Sequence, residues 1–434
     1  MLISVLKENM AHWFHRNTLK NTVPVKFDEL KRVSCGGDSN KIVGELKVTR
    51  ARYVTLVSNH TSQADEVREA GLNYLSLLRG LITPPAEAAA SSESKLRTLT
   101  TFKWTNSMGG KTPSIHADAL FEVISVLVNL ALWFTKHAAR VSANDSITMD
   151  EAKEVHSSLK LAAGIFYCAK EEQAHLPAQI EKATDLDVRV IEAYLLQCQA
   201  EAQEITLARA LELGHKPQIV LALAMDTHKM FENAAHSLET LEKLLVGKWR
   251  SYLSLKALFY QSYGYCFWGQ QLLTEDKCGD AIAVLQMSKS LYDKSGKLCR
   301  EYASAQGPGQ AARPDRHPFY QKLGPMIIRF LEKANHENGF IYHHKIPEAA
   351  LPPEYQDTFG LAKPEDFSLP DMSELWTPQA YSNFKSAVPS ADKGATPSAS
   401  KGASPTEEIT PVAEPDIAPQ FPQVPKTQSG CIIS

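Results

Sequence analysis

Apolar residues recur at three- and four-residue spacing over most of this chain, the period of helices that turn one face to a core. From about Ala51 to Ile82, and from Ser114 to Arg140 with Phe121, Ile124, Leu127, Val128 and Leu132, the spacing predicts long helices. Pro84-Pro85 and Gly109-Gly110 break the chain between them. A helix over about Thr148 to Gln173 opens with Thr148-Met149-Asp150-Glu151, a capping box in which Thr148 accepts the amide of Glu151. Further helices are read from Asp187 to Leu213, Pro217 to Val246, Trp249 to Leu273, Asp280 to Tyr302 and His317 to Asn335. Little helix is expected in the first fifty residues, where Pro24 to Phe27 reads as extended and Cys35-Gly36-Gly37-Asp38-Ser39 as a turn. Phe340-Ile341-Tyr342 and Lys345-Ile346-Pro347 also read as extended, and the proline-punctuated stretch to Trp376-Thr377-Pro378 keeps aromatics that need a surface to pack on.

Links as short as Gly214-His215-Lys216 join these elements, so helix hairpin follows helix hairpin. Gly279 to Leu285 and Lys294 to Leu298 resemble tetratricopeptide hairpins, without a strict period of about 34 residues. The expected fold is therefore mainly α, an irregular helical solenoid. Composition agrees: 434 residues, 44% apolar and 22% charged, can bury a large core. A net charge of -3 with interspersed signs lacks the basic face that nucleic acid requires.

From Pro389 to Pro425 the composition changes to eight prolines among Ser, Thr, Ala, Glu and Lys, the signature of a disordered tail. As a random coil its length would span roughly 35 to 40 Å. It leads to Cys431-Ile432-Ile433-Ser434, the substrate pattern of protein prenyltransferases, with a last residue that favours farnesyl. Cys431 is thus expected to be modified by protein farnesyltransferase, and that covalent farnesyl is the one added group expected, with no other cofactor and no metal. A single chain of this kind gives only reversible membrane affinity, and Lys426 is the lone basic residue between Pro405 and Gly430, so the second attachment signal is expected from a partner on the membrane. No secretory leader or membrane span is expected. The other six cysteines lack metal or redox spacing and read as reduced thiols.

Pro217 to Met225 is apolar almost all round for two turns, so it has two faces to bury. One reading is a helix sandwiched within the solenoid. The other is that Ile219 and Leu223, one turn apart, line an exposed groove for a partner's amphipathic helix, with Thr206 and Leu207 as the opposite wall. Enzymatic constellations are weak: His343-His344 are adjacent, Gly307-Pro308-Gly309 follows a helix rather than a strand, and acidic residues such as Glu171, Glu172 and Glu192 read as solvated surface. The chain is expected not to be an enzyme. A peptide receptor of tetratricopeptide type for another client, and less readily a lipid-anchored enzyme, are the competing classes.

Several stretches resemble the Bro domain family: His12-Trp13-Phe14-His15-Arg16, Phe102-Lys103-Trp104, Ala131-Leu132-Trp133, Gln197 to Glu204, Asp276 to Ile282, Asn338 to Pro347 and Trp376-Thr377-Pro378. The likeness covers roughly 1–385, leaving 386–430 as tail and 431–434 as the prenylation motif. It implies a boomerang-shaped domain with a tetratricopeptide-like core and a small β element. It also implies an adaptor that binds the C-terminal amphipathic helix of charged multivesicular body protein 4, an ESCRT-III subunit, at a cytoplasmic membrane face, endosomal or at the nuclear envelope. The family's groove positions fall on Thr206, Ile219 and Leu223, with Lys153 placed to meet acidic residues of the bound helix. Thr206 stands where relatives often carry a large aromatic. Tyr342 matches a tyrosine that in some relatives belongs to a phosphorylation surface.

Overall fold

The computed structural model describes residues 13–86, 93–109, 111–143, 147–177, 184–309, 312, 314–385 and 409. Cys431, the prenylation motif and nearly all of the expected tail lie outside the described residues. Within them the chain is mainly helical, as its periodicity predicts. The helices are α1 (Asp28–Val33), α2 (Gly37–Ser58), α3 (Ala64–Ile82), α4 (Ala119–Val141), α5 (Met149–Gln173), α6 (Val188–Glu212), α7 (Pro217–Ser237), α8 (Lys243–Thr274), α9 (Cys278–Ser304), α10 (Pro318–Glu337) and α11 (Pro378–Ser382). Two short strands, β1 (Phe102–Trp104) and β2 (Ser114–His116), pair antiparallel with Lys103 opposite Ile115.

From α4 to α10 each helix packs on the next, the layered hairpins of a solenoid. Local chemistry sets the starts. Thr148 Oγ1 accepts the Glu151 amide at 3.2 Å while Glu151 reaches back to the Thr148 amide at 2.8 Å, completing the capping box. Asp187 caps α6 through the Arg189 amide, Asp118 caps α4 through that of Leu120, and Pro217 opens α7 at its first turn, where no amide is needed. One continuous apolar cluster runs from Trp13 to Phe384. At its centre, α4 is long and apolar enough to cross a bilayer, yet that whole stretch is buried inside the protein.

Five expectations need correction. The region expected to be irregular holds α1 and most of α2, because Ser39 folds back on the Gly36 amide and carbonyl and starts a helix where the glycines suggested a turn. The helix expected from Ala51 to Ile82 is broken at 59–63, where the Asn59 carboxamide accepts from both the amide and the hydroxyl of Thr61, an Asx turn. Pro217 to Val246 is likewise split at 238–242, and residues 114–116 are strand rather than helix. Phe340 to Tyr342 is not extended but forms a π turn over Asn338–Tyr342. It is closed by the Asn338 side chain, which accepts from the His344 amide at 2.8 Å and donates to the His344 carbonyl at 3.0 Å.

After this turn the chain runs back along one face of the solenoid. The Lys345 carbonyl sits against Gly279 of α9, the Asp357 carboxylate against Lys229 of α7, Thr358 on Asp226 of α7 and Gln203 of α6, and the Ala362 carbonyl on Gln199 of α6. The Glu365 amide donates to the Lys160 carbonyl of α5, the Pro370 carbonyl accepts from Arg79 of α3, and Trp376 buries its ring there with Nε1 donating to the Leu77 carbonyl. The return segment thus ties five helices together without a strand or helix longer than one turn.

Candidate partner-binding groove

The helices α5, α6 and α7 run antiparallel in turn. Lys170 near the end of α5 pairs with Glu192 near the start of α6 at 2.6 Å, so each turn back along α5 is a turn forward along α6, and Lys153 comes level with Arg209. Gln203 of α6 and Asp226 of α7 both bond Thr358, which puts Thr206 level with Leu223 and Ala210 level with Ile219. Gln199 and Gln203 face the return segment, and Thr206 continues that stripe one turn on; Asp226 and Lys229 do the same on α7, where the stripe continues to Ala222 and Ile219. Lys153, Thr206 and Ile219 therefore share one face, just beyond the line where the return segment crosses. Two interhelix steps of about 8–10 Å each separate the Lys153 side from the Ile219 side, wide enough to seat one helix.

Burial separates the expected residues into two groups. Ile219 is 43% exposed, whereas α7 from Val220 to His228 is wholly buried. Thr206 is half-buried, its hydroxyl donating to its own helix at the Ala202 carbonyl, 3.3 Å. The Lys153 side chain is mostly exposed, held only by a surface pair to Asp150 at 3.0 Å, an interaction of little strength that leaves the ammonium free to turn to another carboxylate. Leu207 and Leu223 correct the sequence expectation: both belong to the core, because α6 and α7 are flanked by helices on two sides and these positions face them. They underlie the groove and do not line its surface. Both readings of Pro217 to Met225 thus meet in one helix, exposed in its first turn at Gln218 and Ile219 and sandwiched from Val220 to Met225.

The return segment supplies a wall that helical spacing does not reveal. Its 3-10 turn, Phe359–Ala362, lies beside α6. There the Leu361 backbone lies near the side chain of His156, one turn from Lys153, and the Leu361 side chain is 50% exposed. Burial lowers the proton affinity of His156, and it raises that of the Asp226 carboxyl, which takes both the amide and the hydroxyl of Thr358.

Beneath the groove lies a buried ionic layer that the sequence pattern missed. Arg16 meets Glu201 with two parallel bonds of 2.9 and 2.7 Å, and Gln197 and Tyr252 also donate to Glu201. One turn on, Glu204 accepts from Lys256 and Tyr260, with the Lys256 ammonium 3.8 Å from the Trp13 ring centre. Burial pushes the Glu204 carboxyl up to about 7 and draws Lys256 down. These side chains are buried, and their bonds fix α6 against the N-terminal segment and α8. Tyr342, the remaining expected site, is half-buried with its hydroxyl donating to Asp276 at 2.5 Å, and Glu337 also acts on it electrostatically. A phosphate there would face carboxylates.

A profile of the BRO1-like domain matches residues 39–391. The chain belongs to the BRO1-like domain family. It is 47% identical over 378 residues to the human BRO1 domain-containing protein BROX, covering 86% of this chain and 91% of that protein. The zebrafish (Danio rerio) protein of that name is 43% identical over 427 residues, 98% of this chain and all of that one. The BROX homolog of Caenorhabditis elegans is 36% identical over 437 residues, again covering 98% and 100%. Among solved structures, the ALIX BRO1 domain in complex with CHMP4C superposes with a TM-score of 0.62 at 21% identity, over 84% of this chain and 98% of that one. A Bro1 domain described as a basis for endosomal targeting gives 0.60 at 20% identity, over 86% and 98%. The BRO1 fold expected from the sequence motifs is thereby established.

Proposed function

We propose that this chain is a farnesylated adaptor whose BRO1 domain holds the C-terminal amphipathic helix of a CHMP4-type ESCRT-III subunit across α5, α6 and α7. The observation that carries the reading is Ile219, an exposed isoleucine in the first turn of α7 just before its buried stretch from Val220, with the Lys153 ammonium across the same face, held only by its surface pair to Asp150. An amphipathic helix offering apolar side chains to Ile219 and carboxylates to Lys153 matches both. The overlay on an ALIX domain solved with CHMP4C supports the choice of partner at the level of fold.

Burying one isoleucine contributes about 1.5–3 kcal/mol, less the ordering of the partner, so binding in solution is weak. A farnesyl group on Cys431 adds membrane affinity that is marginal alone. Together the two convert the second contact into a local event and raise the residence time at a membrane that carries the partner, the endosomal surface first. No step in this scheme needs catalysis. Titrating the unprenylated chain with a fluorescent peptide of the CHMP4 C-terminal helix tests it: saturable binding, weakened at least tenfold by Ile219→Asp in a folded variant, is expected. Binding unaffected by that change would overturn the groove assignment.

A further inference from the structure

Phe340 and Ile341 stand 76% and 63% exposed at the tip of the π turn, the one adjacent pair of large apolar side chains turned to solvent among the described residues. Nothing beneath them is loose. The Asn338 side chain closes the turn on His344, His343 leaves it in a left-handed conformation, and the Tyr342 hydroxyl fastens it to Asp276 in the link between α8 and α9. Two apolar side chains held outward on a fastened turn bury nothing within the domain, so they mark a contact with something outside it.

Helix direction places this tip. Gly264 of α8 lies against Leu221 and Met225 of α7, Gly269 of α8 against Leu285 of α9, and Gly324 of α10 against Tyr292 of α9, so each helix runs antiparallel to the one before it. The start of α7, the end of α8, the start of α9 and the end of α10 therefore share one edge of the solenoid. The end of α6 and the start of α5 continue that edge, and there Leu213 and Met149 are also exposed. Phe340 and Ile341 thus project from the same edge at which the groove opens beside Ile219.

The tip is ringed by basic side chains. Arg329, Lys333 and His336 follow one another along α10 at helical spacing, and the His336 ring meets that of Phe340 at 4.8 Å. His343, His344 and Lys345 follow the turn, all exposed, and Ile346 comes next, 42% exposed. Lys333 pairs with half-buried Glu337 at 3.6 Å, whereas Arg329 and Lys345 make no ion pair with a described residue; Glu332 and Glu348 are the other exposed carboxylates of the stretch. A projecting apolar tip with basic neighbours has no hollow in which to seat a peptide, and it suits a surface that yields to it: the interface of an anionic bilayer. From Lys385 the chain runs on to Cys431 with a contour of about 150 Å, against about 48 Å for α8, so a lipid on that cysteine reaches the same bilayer.

We propose that the Phe340–Ile341 tip inserts into the interface of an anionic membrane, with Arg329, His336 and Lys345 against the headgroups. This supplies within the domain the second attachment that a single prenyl chain needs, and it turns the open end of the groove toward the membrane.

Co-sedimentation of the unprenylated full chain with vesicles of seven parts phosphatidylcholine to three of phosphatidylserine tests this. No ESCRT-III peptide is present, so the result is independent of the groove assignment. Association is expected, weakened at least tenfold by Phe340→Ser/Ile341→Ser and several-fold by Arg329→Glu/Lys345→Glu, with thermal unfolding unchanged because all four side chains are exposed. In Phe340→Trp, lipids brominated on the acyl chains should quench the added fluorescence, since the six native tryptophans are buried or half-buried. No association, association undiminished by the serine pair, or an unquenched signal from Phe340→Trp would overturn the proposal. So would a concentration-dependent dimer abolished by Phe340→Ser/Ile341→Ser without vesicle binding, which would mean that the tip meets a second copy of the chain.

Discussion

Gly164 of α5 and Glu365 of the return segment meet so closely that a Cβ on the glycine would overlap the Glu365 carbonyl oxygen. The Glu365 amide is meanwhile held by the Lys160 carbonyl at 3.0 Å, so the segment has no freedom to step aside. Gly164 is helical, and alanine there would ordinarily favour the helix by about 1 kcal/mol. Here Gly164→Ala should instead destabilise the protein by about 1–3 kcal/mol, the cost of overpacking against backbone. Chemical denaturation gives the magnitude. Faster proteolysis between 355 and 375 with the helices intact would show that the loss is detachment of the return segment.

The same segment should also contribute to partner binding. Leu361 is half exposed beside His156, one turn from Lys153 and on the groove face. Leu361→Asp is expected to weaken binding of the CHMP4 helix peptide about fivefold to twentyfold without changing stability. Leu351→Asp, on an equally exposed leucine of the return segment away from the groove, should leave affinity unchanged. Parallel titrations of the two variants distinguish a groove wall from a general effect of added charge.

Removing one member of the Glu204–Lys256 pair strands the other. Both side chains are buried completely, and a lone buried charge costs about 3–5 kcal/mol, whereas an apolar pair of similar size is often neutral or better. Lys256→Met should therefore destabilise strongly, and Glu204→Leu/Lys256→Met should recover most of the loss. Urea midpoints of wild type, single and double variants measure the coupling.

His15 sets an acid limit. Its ring is buried, with Nδ1 2.9 Å from the Tyr302 hydroxyl and Nε2 3.3 Å from Asn17 Oδ1, and burial lowers its pKa to about 3, assisted by the charges of Lys248, Arg16 and Lys136. The unfolded chain binds this proton near 6.5 and the folded chain does not, so the stability linked to His15 is full above 6.5 and is lost as pH falls from 6.5 toward 3. The slope is about 1.4 kcal/mol per pH unit within that window. His15→Gln, compared with wild type by denaturant titration from pH 7 to pH 4, should remove that slope; parallel curves would show that the ring titrates alike in both states.

Much of this fold is legible in the sequence because its signals are local. Thr148 with Glu151, Asp187 and Pro217 mark helix starts within a residue, and the double-faced apolar run after Pro217 announces a helix buried on both sides. The return segment is illegible for the opposite reason. Thr358 finds Asp226 132 residues away and the Pro370 carbonyl finds Arg79 291 residues away, so nothing in the proline-punctuated stretch itself says which surface it covers. The groove falls between these cases: position Ile219 follows from spacing and family likeness, but the burial of Leu207 and Leu223 depends on helices that pack from both sides. Gly36-Gly37 misled for a local reason, since glycine is as acceptable at a helix start as in a turn.

Hydrogen–deuterium exchange of the full chain with and without the CHMP4 helix peptide tests the central claim most directly. Binding in the groove predicts slowed exchange in the first turns of α5, the last turns of α6, the first turn of α7 and residues 358–363, with α9 and α10 unchanged. Protection confined to α9 and α10, or none at a peptide concentration that saturates binding, would contradict it.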